Sequence, residues 1–593
     1  MKIFYKALNT LNRSKSAYKR FTPSMVFVIL SAIFFSYYVA SNTVVEYYSS
    51  DPRQVYFKLA WLLIIATAGA TFLTLFKEAL KTSSKNEYEL KRSKYIQVAA
   101  IIILLILIFG VYSKLFQQED FMAYDTKYVY FGVLLFLSCA CLFIGKIFNH
   151  KNFVEYFFKI VEAMFISLSF STVLFIGLSA IYFLITKLFD IAIVDKVYII
   201  TFIIIYLPFN VGIFLSYFPR NEIDFDNYKL AKPFVILVSY ITVPIFIIYA
   251  FILYIYFFKI LIQAELPKGV ITNLVLVFAL LTVILLFISS VIKSNKLVEK
   301  FREFFQVIMI PILVMMFYAI FIRISNYGLT ENRYFVIAAG IYTLISMIYY
   351  IFYRSNSNIF IFISLAAIIF LSTIGPVSAY NLSASSQDAR LASILNANGM
   401  LESNQIKPKK NVSLDDKIQI KEIVEYLSNN HRSWESKYLP KNFEFNNENF
   451  EEVFGFNIED DNLFSGDSEY NFKFDRPVDI KGYDKILKFD SFDIKQSLVG
   501  NYFVDVEDGT YTISYKNGRN EFDLTSFTGK EVFDKMIALK ESKDIVDVED
   551  LKIEGVSNNI KYKIVFTLVG YYGSKNELSN YYIEFYLLTA SVD

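Results

Sequence analysis

Apolar runs of about 20 residues recur from Phe21 to Tyr380, separated by short polar stretches. A helix rises about 1.5 Å per residue, so runs of this length cross roughly 30 Å of hydrocarbon. The pattern predicts eleven membrane helices, over 22–41, 56–76, 95–113, 128–145, 160–186, 197–217, 233–258, 270–292, 305–324, 334–353 and 358–379. Prolines in "YLPFN" (206–210) and "VPI" (243–245) predict irregular sixth and seventh helices, because proline removes a backbone donor.

After Pro376 the pattern changes. Residues 383–397 place Leu391, Ile394 and Leu395 on one helical face, and "NG" at 398–399 supplies a stop. A second helix is predicted where Ser413 and Asp416 resemble a capping box and Ile420, Ile423, Val424 and Leu427 follow at helical spacing. From about Phe472 the alternation is that of strands. "DG" at 508–509 and "NG" at 517–518 predict a three-strand antiparallel meander. "YKIVFTLVGYYG" and "YYIEFYLLTA" read as a closing pair of longer strands. The fold class expected is an α-helical polytopic membrane domain followed by an α+β extracytoplasmic domain. Its parts are a membrane domain over 1–380, a helical subdomain over 381–440 and a β-rich domain over 441–593.

Charge decides which side is which. Residues 1–380 hold 33 Lys+Arg against 19 Asp+Glu, a surplus of 14, and the remaining 25 and 37 leave a deficit of 12. The N-terminal tail and the segments after the second, fourth, sixth, eighth and tenth predicted helices carry 23 of those 33 basic residues. That asymmetry is the positive-inside signal. It predicts a cytoplasmic N-terminus and, with an odd number of crossings, a C-terminal domain outside. An acidic soluble part is a poor nucleic-acid partner, since phosphate contacts need Lys and Arg. The lipid bilayer is the partner that residues 1–380 demand.

Candidate chemistry is sparse. Cys139 and Cys141, the only cysteines, share one apolar run and point to different faces, so they neither pair nor serve the soluble part. The two histidines, His150 and His431, lie far apart in sequence, which argues against a His-rich zinc site or a Cys–His nucleophile. No glycine-rich phosphate loop is present, and no cofactor or metal is expected. The carboxylates of "EDDNLFSGDSE" (459–469) offer oxygen ligands for calcium, but their spacing does not fit a twelve-residue calcium loop, and a solvated acidic loop explains them as well.

Two charged groups stand out. "RISNYGLTENRY" (323–334) packs polar residues between the ninth and tenth helices, at an external turn. Arg323, Asn326, Tyr327, Glu331, Asn332 and Arg333 form the candidate ligand site, with Arg323, Glu331 and Arg333 acting as one cluster toward an anionic lipid or envelope ligand. The simpler reading is that charged and aromatic residues anchor helix ends at the interface. Glu155, Lys159 and Glu162 lie one turn apart on a single face, either as an intramembrane charged site or as the amphipathic start of a helix. No residue is singled out as catalytic.

"ELPKG" (265–269), "ISNYGLTENRYFV" (324–336), "GPVSAYNLSASSQDARLASILNANGML" (375–401) and "RPVDIKGYDKI" (476–486) together resemble the bacterial membrane-protein family catalogued as domain of unknown function 4153. The resemblance implies a bacterial plasma-membrane protein with an extracytoplasmic tail, and it implies no catalytic or binding residues. The expected function is a non-enzymatic transporter-like or sensor-like component handling an extracytoplasmic ligand. The alternative is a membrane-embedded envelope-assembly enzyme, a glycosyl or acyl transferase using a lipid-linked donor.

Overall fold

The computed structural model describes residues 18–41, 53–84, 86–117, 124–189, 194–220, 225, 228, 230–263, 269–292, 295–353, 358–431, 436–440, 443–456, 470–473, 478–490, 497–499, 501–507, 509–517, 520–542, 550–571 and 581–591. The acidic loop 459–469 lies outside these residues. The chain divides into two compact units, one of 1–390 with 429–435 and one of 391–428 with 436–593.

The first unit is helical. Each predicted membrane run finds a helix: α1 Thr22–Ser41, α2 Gln54–Ser83, α3 Glu87–Gln117, α4 Tyr124–Phe143 and α5 Phe153–Phe189. There follow α6 Asp195–Tyr217, α7 Lys232–Ile260, α8 Gly269–Ser289, α9 Lys296–Tyr327, α10 Glu331–Phe352 and α11 Ile359–Thr373. Among the described residues nine helices are long and apolar enough to cross a membrane, and 273–289 and 359–373 are shorter apolar helices. The last run therefore stops at Thr373 rather than at residue 379. Gly375 takes a φ of +91° there, and Pro376 cannot continue the helical bonding.

The irregular helices take a specific form. Pro208 sits inside a π turn, Ile205–Phe209, and a second π turn, Leu237–Thr242, immediately precedes Val243 and Pro244. The wider turn accommodates a ring that would clash with the carbonyl four residues back. Among the described residues three apolar clusters organise the packing, one of them Ile65 of α2, Leu104 and Val111 of α3 and Tyr130 and Leu137 of α4. Val298, Phe305, Met309 and Leu313 of α9 meet Val243 of α7, Phe278 and Leu286 of α8 and Met347 of α10. Phe21 just before α1, Met25 of α1, Leu75 of α2 and Phe153 and Ile160 of α5 form another, with Ala366 of α11. Helices α4 and α11 approach closely at Gly132. A Cβ at Gly132 would lie 2.3 Å from the Thr373 side chain, so only glycine fits.

The second unit begins within α12, Ala379–Ala397, whose Leu391 and Leu395 are fully buried. Helix α13, Leu414–Asn430, starts on the expected cap: the Asp416 amide donates to Ser413 Oγ at 3.2 Å and the Ser413 hydroxyl donates to the Asp416 carboxylate at 2.7 Å. Ile420, Ile423, Val424 and Leu427 are buried as their spacing requires. A two-residue hairpin, β1 Leu401–Glu402 and β2 Gln405–Ile406, and the helix α14 Asn447–Phe454 complete the helical part.

The expected meander is β6 Tyr502–Glu507, β7 Thr510–Asn517 and β8 Asn520–Thr528, extended by β5 Ser497–Val499 into a four-stranded antiparallel sheet. The closing pair, β10 Ile560–Tyr571 and β11 Tyr581–Ser591, runs antiparallel at the centre of a second sheet. β3 Tyr470–Lys473 and β9 Lys552–Ser557 pair with β10, and β4 Lys485–Asp490 pairs with β11. Phe527, Phe566 and Phe585 stack edge-on between the sheets, and α15, Gly529–Ser542, adds Phe533 and Met536 to the same core. Aromatic edge-to-face packing of this kind contributes about 0.5–1.5 kcal/mol per pair beyond burial.

Candidate functional site

The stretch 323–334 is the turn between α9 and α10, and the first unit builds a polar cap on it. Helix α9 ends at Gly328, whose φ of +70° and N–H, donating a hydrogen bond to the Ile324 carbonyl at 2.8 Å, make the stop. A side chain at Gly328 would also collide with Gln387 Nε2 of α12 at 2.7 Å. The last carbonyls of a helix lack internal partners and carry partial negative charge, so they attract donors and cations. Here three side chains answer. Arg333 Nη1 donates to the Tyr327 and Gly328 carbonyls at 2.9 and 2.6 Å. Gln387 Nε2 donates to the Tyr327 and Leu329 carbonyls at 3.1 and 3.0 Å. Arg390 Nη1 reaches Tyr327 O at 3.3 Å, and the Leu329 amide donates to Ser386 Oγ at 2.9 Å.

Glu331 opens α10, where a carboxylate is favoured by the helix dipole. It is only 3% exposed, which a lone carboxylate would not tolerate. Its Oε1 lies 2.8 Å from Nε2 of His431, itself 1% exposed, a contact short in distance but not aligned as a hydrogen bond. The His431 ring centre is 4.4 Å from that of Tyr380. His431 belongs to 429–435, the stretch that returns to the first unit after the chain has left it at Arg390.

The structure therefore gathers some of the expected residues and separates others. Tyr327 and Arg333 meet at the turn, the Arg333 guanidinium lying 5.6 Å from the Tyr327 ring centre. Arg323 makes no hydrogen bond or ion pair among the described residues, so it is not the partner of Glu331; His431 is. Asn326 and Asn332 are exposed. Gln387, Arg390 and His431 were invisible as site residues in the sequence. The first two read as the polar face of an amphipathic helix, and His431 follows α13 with no motif around it.

The second charged group is a helix-surface pair. Lys159 Nζ lies 2.6 Å from Glu162 Oε2 on α5, both side chains substantially exposed, and Glu155 forms no ion pair among the described residues. Lys159 also stands 5.1 Å from the Tyr228 ring centre. Burial pushes the Tyr228 hydroxyl above its ordinary value, the Lys159 ammonium opposes this, and Glu162 and Glu155 add to the rise. Among the described residues no three His, Cys, Asp or Glu side chains gather as a metal site.

Comparison with known proteins agrees with the resemblance noted above. Residues 120–404 match the family model described as Domain of unknown function (DUF4153). An uncharacterized protein of Pasteurella multocida (strain Pm70) is 26% identical over 205 residues, 35% of this chain and 35% of that protein. The chain thus aligns with about a third of the length of this relative. No solved structure matches.

Proposed function

We propose that the chain is a non-enzymatic, sensor-like component of a bacterial plasma membrane, with the N-terminus in the cytoplasm and the second unit outside. Its task is to pass a change in the second unit to the ends of α9 and α10. The observation that supports this is the buried Glu331–His431 pair. The polypeptide crosses between the two units after Arg390, after Ser428 and after Glu435, so the short stretch carrying His431 is led into the second unit at both of its ends. A pull on that stretch loads the pair directly. A buried pair is either made or broken, because breaking it strands a charge at a cost of about 3–5 kcal/mol. Two discrete states of this kind are what a switch requires.

The basic residues of the even-numbered connections support the orientation. Arg323, with no partner among the described residues, is the group we assign to the phosphate of an anionic lipid at the bilayer edge. The test is complementation of a deletion strain under envelope stress. His431→Ala protein that is folded and correctly inserted should fail to restore the wild-type phenotype. Full restoration by that variant would overturn the sensor reading.

A further inference from the structure

A groove in the second unit is independent of the cap. It has a volume of about 640 Å³ and lies among the β1–β2 hairpin, residues 437–440, Phe443 and α14. Small-molecule sites span roughly 300–1,000 Å³, so the groove is of binding size. Tyr438 and Phe443 supply half-buried aromatic faces, and Asn404, Gln405, Asn449 and Glu452 supply polar groups around them. The side chains of Asn404, Gln405, Tyr438 and Glu452 make no hydrogen bond or ion pair among the described residues, so their donors and acceptors are open to a ligand. Lys437 and Glu452 at the rim balance each other in formal charge. The hairpin turn at its edge holds Ser403 and Asn404 at φ of +51° and +63°, a conformation costly for side chains other than glycine.

We infer that this groove binds a neutral oligosaccharide. A pyranose ring has apolar C–H faces, which pack on aromatic rings, and an equatorial belt of hydroxyls that both donate and accept. Planar amides and a carboxylate satisfy adjacent hydroxyls in pairs, and a phenol adds one further donor or acceptor. A formally neutral rim suits an uncharged ligand. A peptide fits less well, since peptide recognition draws on a row of backbone donors and acceptors, and β1 and β2 offer two residues each.

The experiment is saturation-transfer NMR on the full chain in nanodiscs, with maltotetraose, cellotetraose and chitotetraose as the probes. Transfer to the sugar ring protons of at least one probe is expected. Tyr438→Ala and Phe443→Ala should each weaken binding at least tenfold. Glu452→Gln, an exposed conservative change that leaves the fold intact, should weaken it severalfold with an unaltered melting profile. His431→Ala should leave it unchanged, so the groove and the sensor reading fail or succeed separately. Absence of transfer to all three sugars would overturn the inference. So would binding indifferent to Glu452→Gln and both aromatic changes, or displacement of the sugar by an uncharged tetrapeptide.

Discussion

Replacing Glu331 with glutamine tests the cap most directly. The change keeps shape and one acceptor but removes the charge. The Glu331 carboxyl group and the His431 imidazole lie 2.8 Å apart at their nearest atoms and are almost wholly shielded, at 4% and 0% side-chain exposure. When the imidazole carries its second proton the pair is ionic, and unit charges about 4 Å apart attract by roughly 4 kcal/mol at an effective dielectric of about 20. Desolvation of both ions cancels much of that in the intact pair, whereas removing one partner leaves the other's cost exposed, about 3–5 kcal/mol. Glutamine keeps a polar oxygen beside the imidazole, so the lower end of that range is expected for Glu331→Gln, and His431→Gln should cost a similar amount. The double variant should cost less than the two added, by about 1–3 kcal/mol, since neither charge is then left alone. A global unfolding free energy is ill-defined for a chain of two units in a membrane, so the assay is hydrogen exchange at the 327–334 turn, which reads local opening. Arg323→Gln combined with Glu331→Gln serves as the control and should be additive, because the two share no bond. Strict additivity of Glu331 with His431, or coupling of Glu331 with Arg323 in its place, would refute the assignment of partners.

Gly328→Ala should loosen the cap by about 1–3 kcal/mol, as the new Cβ meets both an unfavourable φ and Gln387; faster exchange at the turn is the readout. Gly132→Ala should lower the melting temperature of the purified protein by wedging α4 from α11, and Thr373→Ala in the same chain should recover part of the loss. Ser413→Ala should destabilise the start of α13 by about 1 kcal/mol, seen as exchange of its first-turn amides. Glu554→Cys, on an exposed position of β9, should react with a membrane-impermeant thiol reagent in spheroplasts, against a low background because Cys139 and Cys141 are buried; labelling only after lysis would reverse the proposed orientation. The Tyr228 hydroxyl titrates above its ordinary value, so its neutral form favours the folded state below that value and this contribution is lost as pH rises through the shifted one. Tyr228→Phe should accordingly remove one late step from the alkaline tyrosinate absorbance.

The elements were far more legible in the sequence than the site. Apolar run length locates membrane helices because hydrocarbon leaves a backbone no other partners, and every predicted run has its helix. Local signals worked where the physics is local: Ser413 caps α13, and the strands flanking the two turn signals pair in sequence, β6 with β7 and β7 with β8. The helix ends were less legible. Run length predicts where hydrocarbon begins, yet α9 extends from Lys296 to Tyr327 because its polar ends stay helical beyond the apolar stretch. The cap was legible by half. Polarity and Gly328 marked the turn, but the partner of Glu331 is fixed by a return of the chain about a hundred residues later. No short-range pattern encodes such a contact. Arg323, the nearer candidate by sequence, lost to a histidine that no motif announced.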